Sequence, residues 1–355
     1  MKKINILEME ISKGWGGQEK RTVRLINNLN KDKFKVFYVA KPDSKIVKNK
    51  DIIDAQIIPL DMRQSYDIKA IYNLCKIVKT NQIDIISTHS GKDAWLGAIV
   101  GKITGKKVIR TRHLQTPINS TASYNLSSKV VTVSKQVEEY LKQRGVKKDK
   151  LQTIYTGIDT KKFTPKKIFD LKKELYIEED TLLIGIVAVL RAAKRHKDLI
   201  EAISKIEAKI KLVIVGDGPQ KDNIQKIIKE KNLQDKVIML GHREDIDKIL
   251  PNLDIFVLPS NMEALGTSIL EAGACGIACI GSKVGGIPEC IKDNKTGFLF
   301  ENQNVKELQE KLEILIKEKN LREKFGKNAR ELIEKNFSVD AMVKKTEELY
   351  ESLIK

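Results

Sequence analysis

Residues 254–282, DIFVLPSNMEALGTSILEAGACGIACIGS, contain one complete strand–loop–helix–strand unit. The apolar run DIFVLP is typical of a strand buried on both faces, and ACIGS predicts a second one. The segment that starts at about Gly266 predicts a helix between these two strands. A helix that connects two buried strands is the crossover connection of a parallel sheet, so this stretch predicts an α/β fold.

The same pattern extends in both directions along the chain. In the C-terminal half, the runs LLIGIVAVL, KLVIVG and KVIMLG precede it and predict three more strands. In the N-terminal half, KKINILEM, KVFYVA, QIIPL, DIISTH, KVIRTR and KVVTVS alternate with helical patterns over about 18–29, 68–80, 94–104 and 135–143. The polar segment TGIDTKKFTPKKIF separates the two series. We therefore expect two doubly wound, Rossmann-like domains with parallel sheets.

The expected domains are residues 1–163, residues 164–337 and a final amphipathic helix over 338–355. Met342, Leu349 and Leu353 are the predicted buried positions of that helix. Doubly wound sheets bind ligands beyond the carboxyl ends of their strands. We therefore expect the site in a cleft between the two domains, lined by residues that directly follow strands.

Charge is distributed unevenly along this chain of net charge +18. Residues 1–163 carry 32 Lys and Arg against 15 Asp and Glu, whereas residues 164–355 carry 33 against 32. A basic half predicts an anionic partner, such as lipid headgroups, an anionic acceptor or nucleic acid. No apolar run reaches the roughly 18 residues of a membrane span, and the start lacks a signal-peptide pattern, so we expect a cytoplasmic protein.

Several residues that could bind a nucleotide follow predicted strands in the C-terminal half. Glu263 lies in a loop, Gly266 begins a helix whose N–H groups suit a diphosphate, and Glu271 lies within that helix. Arg191 and Lys194 follow LLIGIVAVL and are cations suited to phosphate oxygens. Three further candidates are Gly218 in the turn GDGP and the pair His242 and Arg243, which could frame a base.

The N-terminal half offers a weaker set of candidates. Gly14, Gly16 and Gly17 form a glycine-rich loop before a helix, but their spacing is not that of a dinucleotide-binding fingerprint. His89 and His113 each end a strand, and a lone histidine in such a place is more often structural. We select His113 because of its position in the strand end RTRH.

Together these motifs resemble the retaining glycosyltransferases of family 4, over nearly the whole chain. The motifs that carry the resemblance are Gly16-Gly17-Gln18-Glu19, Thr111-Arg112-His113, VTVS ending at Ser134, TGID at 156–159, GDGP at 216–219, LGH at 240–242 and the pair Glu263 and Glu271 eight positions apart. The resemblance implies the GT-B fold and a role in bacterial cell-surface polysaccharide or lipopolysaccharide synthesis. It also implies that the C-terminal domain binds the nucleotide sugar, that the N-terminal domain binds the acceptor, and that the last helix crosses back to the N-terminal domain.

The resemblance assigns roles to particular residues. Arg191 and Lys194 are expected to hold the diphosphate, Glu271 the ribose and Glu263 the transferred sugar. The expected catalytic residues are His113, Glu263, Arg191 and Lys194. The expected donor-binding residues are Gly16, Gly17, Arg191, Lys194, Gly218, His242, Arg243, Glu263, Ala264, Leu265, Gly266, Thr267 and Glu271.

Three positions depart from the pattern of the family. The family usually has arginine five residues before the phosphate lysine, where this chain has Val189, so Arg191 is the substitute. Ala264 and Leu265 stand where Gly-Phe is common, and Gln18 replaces a residue that is often small.

The function expected from the sequence is a metal-independent, retaining transfer from a nucleotide-diphosphate sugar, for example a UDP-sugar, to a glycan or lipid-linked acceptor. Arg191, Lys194 and the helix N-terminus would replace a metal; no metal site or cofactor is expected, because the cysteines and histidines lack ligand spacing. Lysines near Trp95–Ile99, among them Lys102, Lys106, Lys107 and Lys129, suggest peripheral contact with an anionic membrane.

Three alternatives remain open from the sequence. A nucleotide-sugar 2-epimerase would share the fold and the donor but would not explain the basic half. A nucleic-acid-binding protein would explain the charge, but no such motif is present and aromatic residues are only 5%. A nicotinamide dehydrogenase would require a fingerprint that the chain lacks.

Overall fold

The computed structural model describes residues 2–354, and these divide into two compact units. Unit 1 comprises the chain up to Gly157 and again from Val339, whereas unit 2 comprises Ile158–Ser338. The sequence placed the division after residue 163. The observed division falls earlier because Ile158 already forms a β-bridge with Ser338 within unit 2.

Unit 1 is built on seven parallel strands: β1 (Ile4–Glu10), β2 (Phe34–Ala40), β3 (Gln56–Pro59), β4 (Ile85–Thr88), β5 (Lys107–Arg112), β6 (Lys129–Thr132) and β7 (Leu151–Thr153). Their order across the sheet is β3-β2-β1-β4-β5-β6-β7. The helices that connect them are α1 (Gly17–Asn28), α2 (Lys45–Lys48), α3 (Ile68–Thr80), α4 (Gly91–Thr104), α5 (Ala122–Leu126) and α6 (Lys135–Gln143), with short 3₁₀ turns at Lys50–Ile52 and Lys148–Lys150.

Both faces of this sheet are buried, as the apolar strands predict. Successive side chains of a strand point to opposite faces. Ile6 accordingly packs in one core with Leu25 of α1, whereas Leu7 packs in a second core with Leu74 of α3 and Leu96 of α4. Helices therefore cover both faces, which is the doubly wound arrangement.

Unit 2 repeats this architecture with six parallel strands: β8 (Leu182–Val187), β9 (Ile210–Val215), β10 (Val237–Gly241), β11 (Ile255–Leu258), β12 (Ala278–Ser282) and β13 (Gly297–Phe300). Their order is β10-β9-β8-β11-β12-β13. The helices are α7 (Leu171–Glu174), α8 (His196–Ser204), α9 (Lys221–Glu230), α10 (Ile246–Ile249), α11 (Thr267–Ala274), α12 (Ile287–Cys290), α13 (Val305–Lys317) and α14 (Lys319–Asn336), with 3₁₀ turns at Ala192–Lys194 and Leu250–Asn252. The predicted pair of Rossmann-like parallel-sheet domains is thus confirmed, although the sequence analysis did not predict β7 and β13, the last strand of each sheet.

The last helix, α15 (Val339–Ile354), belongs to unit 1. It packs against α1, and Met342, Leu349 and Tyr350 lie in the same core as Ile6. No helix within residues 2–354 combines the length and the apolar composition that crossing a bilayer requires.

In each sheet the strand order reverses between two neighbouring strands. These neighbours are β1 and β4 in unit 1, and β8 and β11 in unit 2. At such a switch point the connections leave in opposite directions, so a crevice opens at the carboxyl ends of the two strands. The chain leaves these strand ends at Ile11 and His89 in unit 1, and at Ala188 and Pro259 in unit 2.

Candidate active site

An ion pair joins the two strand ends at the switch point of unit 2. Lys194 follows β8, Glu263 follows β11, and the Lys194 ammonium contacts Glu263 Oε1. Ser260 Oγ donates a second hydrogen bond to the same oxygen, at 3.1 Å. The two charged side chains keep 23% and 13% of their surface exposed, so a ligand in solvent can reach them.

The loop that carries Lys194 is held rigidly. Arg195 lies in the left-handed region, with φ 54°, and its guanidinium makes two bonds to Asp198, at 2.7 and 2.9 Å. The Asn261 N–H donates to Ala193 O at 2.9 Å, which ties this loop to the one that carries Glu263. Arg195 is therefore committed to Asp198, and Arg191 and Lys194 remain as the candidate phosphate cations.

Arg191 is exposed and, within residues 2–354, its guanidinium has no ion-pair partner. Val189, which stands where the family usually has arginine, keeps 49% of its surface exposed. Arg191 is thus available to an anionic ligand, and its role as the phosphate arginine stays a prediction.

The turn after β9 packs directly on the chain that leaves β8. Gly218 has φ 155°, and a Cβ at this position would lie 2.8 Å from Leu190 O. The Leu190 N–H donates to Asp217 O at 3.0 Å, and the Gln220 N–H donates to Leu190 O at 2.9 Å. This close approach requires a glycine at 218 even without a ligand, so the expected contact of Gly218 with the donor stays a prediction.

Helix α11 begins directly after the Glu263 loop. Its N-cap is Gly266, with φ 93°, and the Ile269 N–H donates to Gly266 O at 3.0 Å. The N–H groups of Thr267 and Ser268 precede that first bonded turn, and the helix dipole adds partial positive charge there. Glu271 is half-buried in the following turn. The helix start that the sequence predicted is present, and its contact with a phosphate stays a prediction.

The Glu263 loop is supported by residues that the sequence analysis did not assign. The Gly286 N–H donates to Glu263 O at 3.1 Å, and a Cβ on Gly286 would lie 2.4 Å from Ala264 O. The Cys290 thiol lies 2.9 Å from Leu265 O, and the Leu265 side chain is buried in the core. In the sequence, the two adjacent glycines of KVGG, directly after β12, could have indicated this close contact with the Glu263 loop.

His242 and Arg243 directly follow β10 and differ in whether their side chains already have partners within residues 2–354. His242 is exposed. The Arg243 guanidinium is engaged by Asp245, at 2.8 and 2.7 Å, and by Glu174, at 2.6 Å. These hydrogen bonds raise the pKa of Arg243. The expectation that Arg243 frames a base therefore requires its side chain to exchange these partners or its backbone to make the contact.

In unit 1, the glycine loop leads from β1 into α1. The Gly16 N–H donates to Glu19 Oε2 at 2.7 Å, so Glu19 caps the helix. A Cβ on Gly16 would lie 3.3 Å from that carboxylate, whereas a Cβ on Gly17 would meet no atom within 4 Å. The fold therefore does not require a glycine at 17.

Glu10, the last residue of β1, fixes this loop by two hydrogen bonds. Its carboxylate accepts the Ser12 N–H at 2.9 Å and the Gln18 side-chain amide at 2.5 Å. The side chain is fully buried, and this burial raises the pKa of Glu10 to about 7. Gln18, where the family often has a small residue, thus serves to orient the start of α1.

The half-buried His113 is the last member of a hydrogen-bonded chain whose other side chains are buried. Its Nε2 lies 3.0 Å from Nδ1 of His89, and Nε2 of His89 lies 2.7 Å from Glu8 Oε2. The Tyr350 hydroxyl of α15 donates to Glu8 Oε1 at 3.2 Å. The structure thus joins His113 to three residues that were not selected as site residues. The sequence feature that could have indicated this chain is Glu8, a carboxylate in the middle of the apolar strand β1, because a buried charge needs hydrogen-bonded partners.

The fold and the switch point of unit 2 define a class of proteins: two Rossmann-like domains, one of which has cations and a helix N-terminus at the carboxyl ends of its strands. The family model described as "Glycosyl transferases group 1" matches residues 167–332, and the model described as "Glycosyltransferase Family 4" matches residues 15–162. The chain therefore belongs to the family 4 glycosyltransferases, which have the GT-B fold. The predicted enzyme class is confirmed.

Curated relatives and solved structures agree with this assignment. N-acetyl-alpha-D-glucosaminyl L-malate synthase of Bacillus anthracis is 29% identical, over 82% of this chain and 80% of the relative. N,N'-diacetylbacillosaminyl-diphospho-undecaprenol alpha-1,3-N-acetylgalactosaminyltransferase of Campylobacter jejuni is 28% identical, over 86% of this chain and 88% of the relative. The crystal structure of Anabaena Alr3699/HepE in complex with UDP matches with a TM-score of 0.88 over 98% of this chain and all of that chain; at 21% identity, this likeness shows the fold.

Gly17→Ala is expected to leave the melting temperature unchanged or slightly raised, because the new methyl group meets no protein atom and alanine favours a helix. If Gly17 faces the donor, the same methyl group will lower kcat/KM for sugar transfer. A matched control is Gly105→Ala, at the left-handed end of α4, which should cost about 1 kcal/mol of stability and leave kcat/KM unchanged. An unaltered kcat/KM in Gly17→Ala would remove this residue from the site.

Proposed function

We propose that the protein transfers a sugar from a nucleoside-diphosphate donor to a lipid-linked acceptor in cell-envelope polysaccharide or lipopolysaccharide synthesis, with retained anomeric configuration and without a metal ion. The observation that carries the proposal is the pairing of Lys194 with Glu263 at the switch point of unit 2, directly before the N-terminus of α11. A cation, a sugar-binding carboxylate and a phosphate-binding helix start then lie within one loop system.

The cations explain how the diphosphate leaves. As the bond between the anomeric carbon and the diphosphate breaks, its electron pair moves to the phosphate oxygen. Lys194 has three N–H donors and Glu263 uses one, so the others can stabilise that developing charge together with Arg191 and the N–H groups of Thr267 and Ser268. In the retaining reaction that the family implies, the acceptor oxygen bonds to the anomeric carbon on the side that the diphosphate leaves, and its proton passes to a diphosphate oxygen.

The two glutamates of the motif have different tasks. Glu271, inside α11, is assigned to the ribose, where a carboxylate accepts hydrogen bonds from the diol. Glu263 is assigned to hydroxyls of the transferred sugar. Because Glu263 also neutralises part of the charge of Lys194, its removal frees Lys194 for the diphosphate.

Glu271→Gln should therefore weaken UDP binding by about tenfold or more, the value of a charged hydrogen bond. Glu263→Gln should bind UDP as tightly as the wild type or more tightly, and should lose about 100-fold in kcat. Calorimetry with UDP and single-turnover transfer measure the two effects separately. Glu230→Gln, an exposed change at the end of α9, is the matched control and should alter neither.

Equal loss of UDP affinity in the two site variants would contradict these assignments. Sugar transfer should persist in excess EDTA, because protein groups and not a metal ion supply the positive charge. Turnover that stops in chelator and returns with Mg²⁺ would contradict the metal-independent part of the proposal.

The acceptor half of the proposal rests on the charge of unit 1. Unit 1 carries 33 Lys and Arg against 18 Asp and Glu, whereas unit 2 carries 32 against 29. A nucleotide-sugar 2-epimerase would have no use for this excess. The Campylobacter jejuni relative bears a diphospho-undecaprenol acceptor in its name, and such a lipid requires its enzyme to work at a membrane surface.

The outer face of α3 and α4 is the best candidate for that contact, and we name it the α3–α4 face. Five exposed lysines lie on the two helices: Lys69, Lys76, Lys79, Lys92 and Lys102. Helix α3 has no acidic residue, and Asp93, the one acid of α4, is fully buried. The exposed charges on the two helices are thus all positive, which complements anionic lipid headgroups. The nearby Asp67 is half-buried and caps the start of α3.

Apolar side chains lie among these lysines. Tyr66, Ile68, Tyr72 and Ile103 each expose at least 60% of their surface, and the ring of Tyr66 lies 5.5 Å from that of Trp95. The stretch Trp95–Ile99, from which the sequence suggested an exposed apolar surface, is mostly buried, because its Leu96 and Ala98 face the core. The apolar contribution comes instead from α3, from Tyr66, which lies two residues before it, and from the end of α4.

The intact protein should bind vesicles that contain phosphatidylglycerol at low salt, ignore vesicles of phosphatidylcholine, and be released at about 0.5 M NaCl. Each lysine near an anionic surface contributes about 1 kcal/mol, so Lys69→Gln combined with Lys76→Gln should weaken binding about thirtyfold. The matched control is Lys221→Gln with Lys229→Gln on α9 of unit 2, which should bind like the wild type. Equal loss in both double variants, or no binding by the wild type, would contradict the membrane contact and favour a soluble anionic acceptor.

A further inference from the structure

Four side chains from four separate elements form one hydrogen-bonded chain inside unit 1. They are Tyr350 of α15, Glu8 of β1, His89 after β4 and His113 after β5, and the links measure 3.2, 2.7 and 3.0 Å. Glu8, His89 and Tyr350 are at most 5% exposed, whereas His113 is half-buried. Within residues 2–354, Nδ1 of His113 makes no hydrogen bond, so the chain ends in a ring nitrogen that is available to a ligand.

The local structure fixes His89 in this chain. Asp93 accepts the N–H groups of His89, at 3.2 Å, and Ser90, at 2.7 Å, and thereby caps α4. The β4–α4 turn therefore holds the backbone of His89, while Glu8 holds Nε2 of its ring. Such double constraint leaves the ring no freedom to turn away from His113.

The charges around His89 favour its doubly protonated form. Glu8 and Glu10 approach it from β1, Asp93 from α4, and His113 from the end of β5. Two permanent cations, Arg21 of α1 and Arg112 of β5, act on His113. Burial by itself would lower the pKa of His89, but the hydrogen bond and the charge of Glu8 more than offset it, and the pKa is raised. Burial, together with the charges of His89, Arg21 and Arg112, lowers the pKa of His113 well below its ordinary value.

The protonation of His89 decides which proton His113 carries. A doubly protonated His89 donates from Nε2 to Glu8 and from Nδ1 to His113 Nε2, so the single proton of His113 lies on Nδ1. A neutral His89 with its proton on Nε2 instead accepts at Nδ1, so the proton of His113 lies on Nε2 and its Nδ1 becomes an acceptor. The free nitrogen of His113 is thus a donor in the first state and an acceptor in the second.

We propose that Glu8 and His89 are positioning residues that hold His113 as the tautomer with its proton on Nδ1, so that His113 donates a hydrogen bond to an oxygen of the sugar-nucleotide donor. This inference rests on the proposed function, to which we add the role expected for His113 from the sequence, a contact with the donor. Tyr350 and the buried Arg21 stabilise the negative charge of Glu8 and so support the same state.

The chain has four histidines, so the tautomers can be measured directly in the intact protein by ¹⁵N-histidine labelling and two-bond ¹H–¹⁵N correlation. At pH 7, His113 should be neutral with its proton on Nδ1, and His89 should be doubly protonated with a pKa above its ordinary value. His113 found with its proton on Nε2 would overturn the proposal, and this spectrum requires no variant to fold.

Glu8→Gln keeps the shape and the oxygen acceptor but removes the charge. The pKa of His89 should fall by about one unit or more, and the proton of His113 should move to Nε2. His196 and His242 of unit 2 serve as internal controls and should not change. Glu10→Gln, two residues along the same strand and without a hydrogen bond to His89, should leave the proton of His113 on Nδ1. An unchanged His113 tautomer in Glu8→Gln would overturn the proposal.

The pH profile of kcat/KM adds a readout that a merely structural role would not move. Activity should fall as the pH rises through the raised pKa of His89, and Glu8→Gln should move this alkaline limb to lower pH. In His113→Asn, whose amide can donate from the place of Nδ1, Glu8→Gln should have no further effect on the limb. A further shift of the limb in that background would overturn the positioning role.

If His113 does not contact the donor at all, the variants give a result that differs from failure of the positioning role. If His113→Ala, His113→Asn and the wild type turn over equally, His113 does not contact the donor and that part of the proposed function fails. The tautomer measured by NMR answers the positioning question independently of any activity.

Discussion

The parallel pairing of the first strand with the fourth, repeated in both units, is the constraint on which the sites depend. In unit 1, β1 pairs with β4 so that Met9 lies opposite Thr88, and in unit 2, β8 pairs with β11 so that Ile184 lies opposite Ile255. Each pairing brings together two loops that are far apart in sequence. The hydrogen-bonded chain of unit 1 and the ion pair of unit 2 both lie at these switch points.

The two units use polar side chains at this place in opposite ways. In unit 2, Lys194 and Glu263 compensate each other's charge in an ion pair and keep part of their surface in solvent, so they stay accessible to a ligand. In unit 1, Glu8 is almost completely removed from water, and a buried charge is stable only with hydrogen-bonded partners. His89, Tyr350 and the nearby Arg21 meet that requirement, and only His113, at the end of the chain, reaches the surface.

Much of this architecture was predictable because it depends on local patterns. Apolar runs and their alternation with helical stretches predicted both sheets, and the bounds predicted for α3 and α6 agree with the structure. The stretch that follows β11 predicted the helix start at Gly266. Local patterns do not specify strand order, however, and the contact between Lys194 and Glu263 arises only because β8 and β11 are neighbours.

Contacts over long sequence separations were out of reach for the same reason. Tyr350 meets Glu8 only after α15 has packed on unit 1, and Glu174 meets Arg243 across two separate elements of unit 2. His89 was not selected from the sequence, because a lone histidine at a strand end is more often structural. Its role becomes visible only through its hydrogen bonds to Glu8 and His113. Gly218 is explained by the close approach of Leu190 O, which no sequence pattern reveals.

Hydrogen exchange of the intact protein, with and without saturating UDP and then GDP and ADP, tests most directly whether the switch point of unit 2 binds the nucleotide. The account predicts that one of these nucleotides slows exchange in peptides that cover residues 191–194, 216–218 and 263–271, since their backbone lies at the carboxyl ends of β8, β9 and β11. Peptides over residues 205–210 and 231–236, before the amino ends of β9 and β10, should not change. Protection confined to those amino ends or to unit 1, or no protection by any of the three nucleotides, would contradict the account.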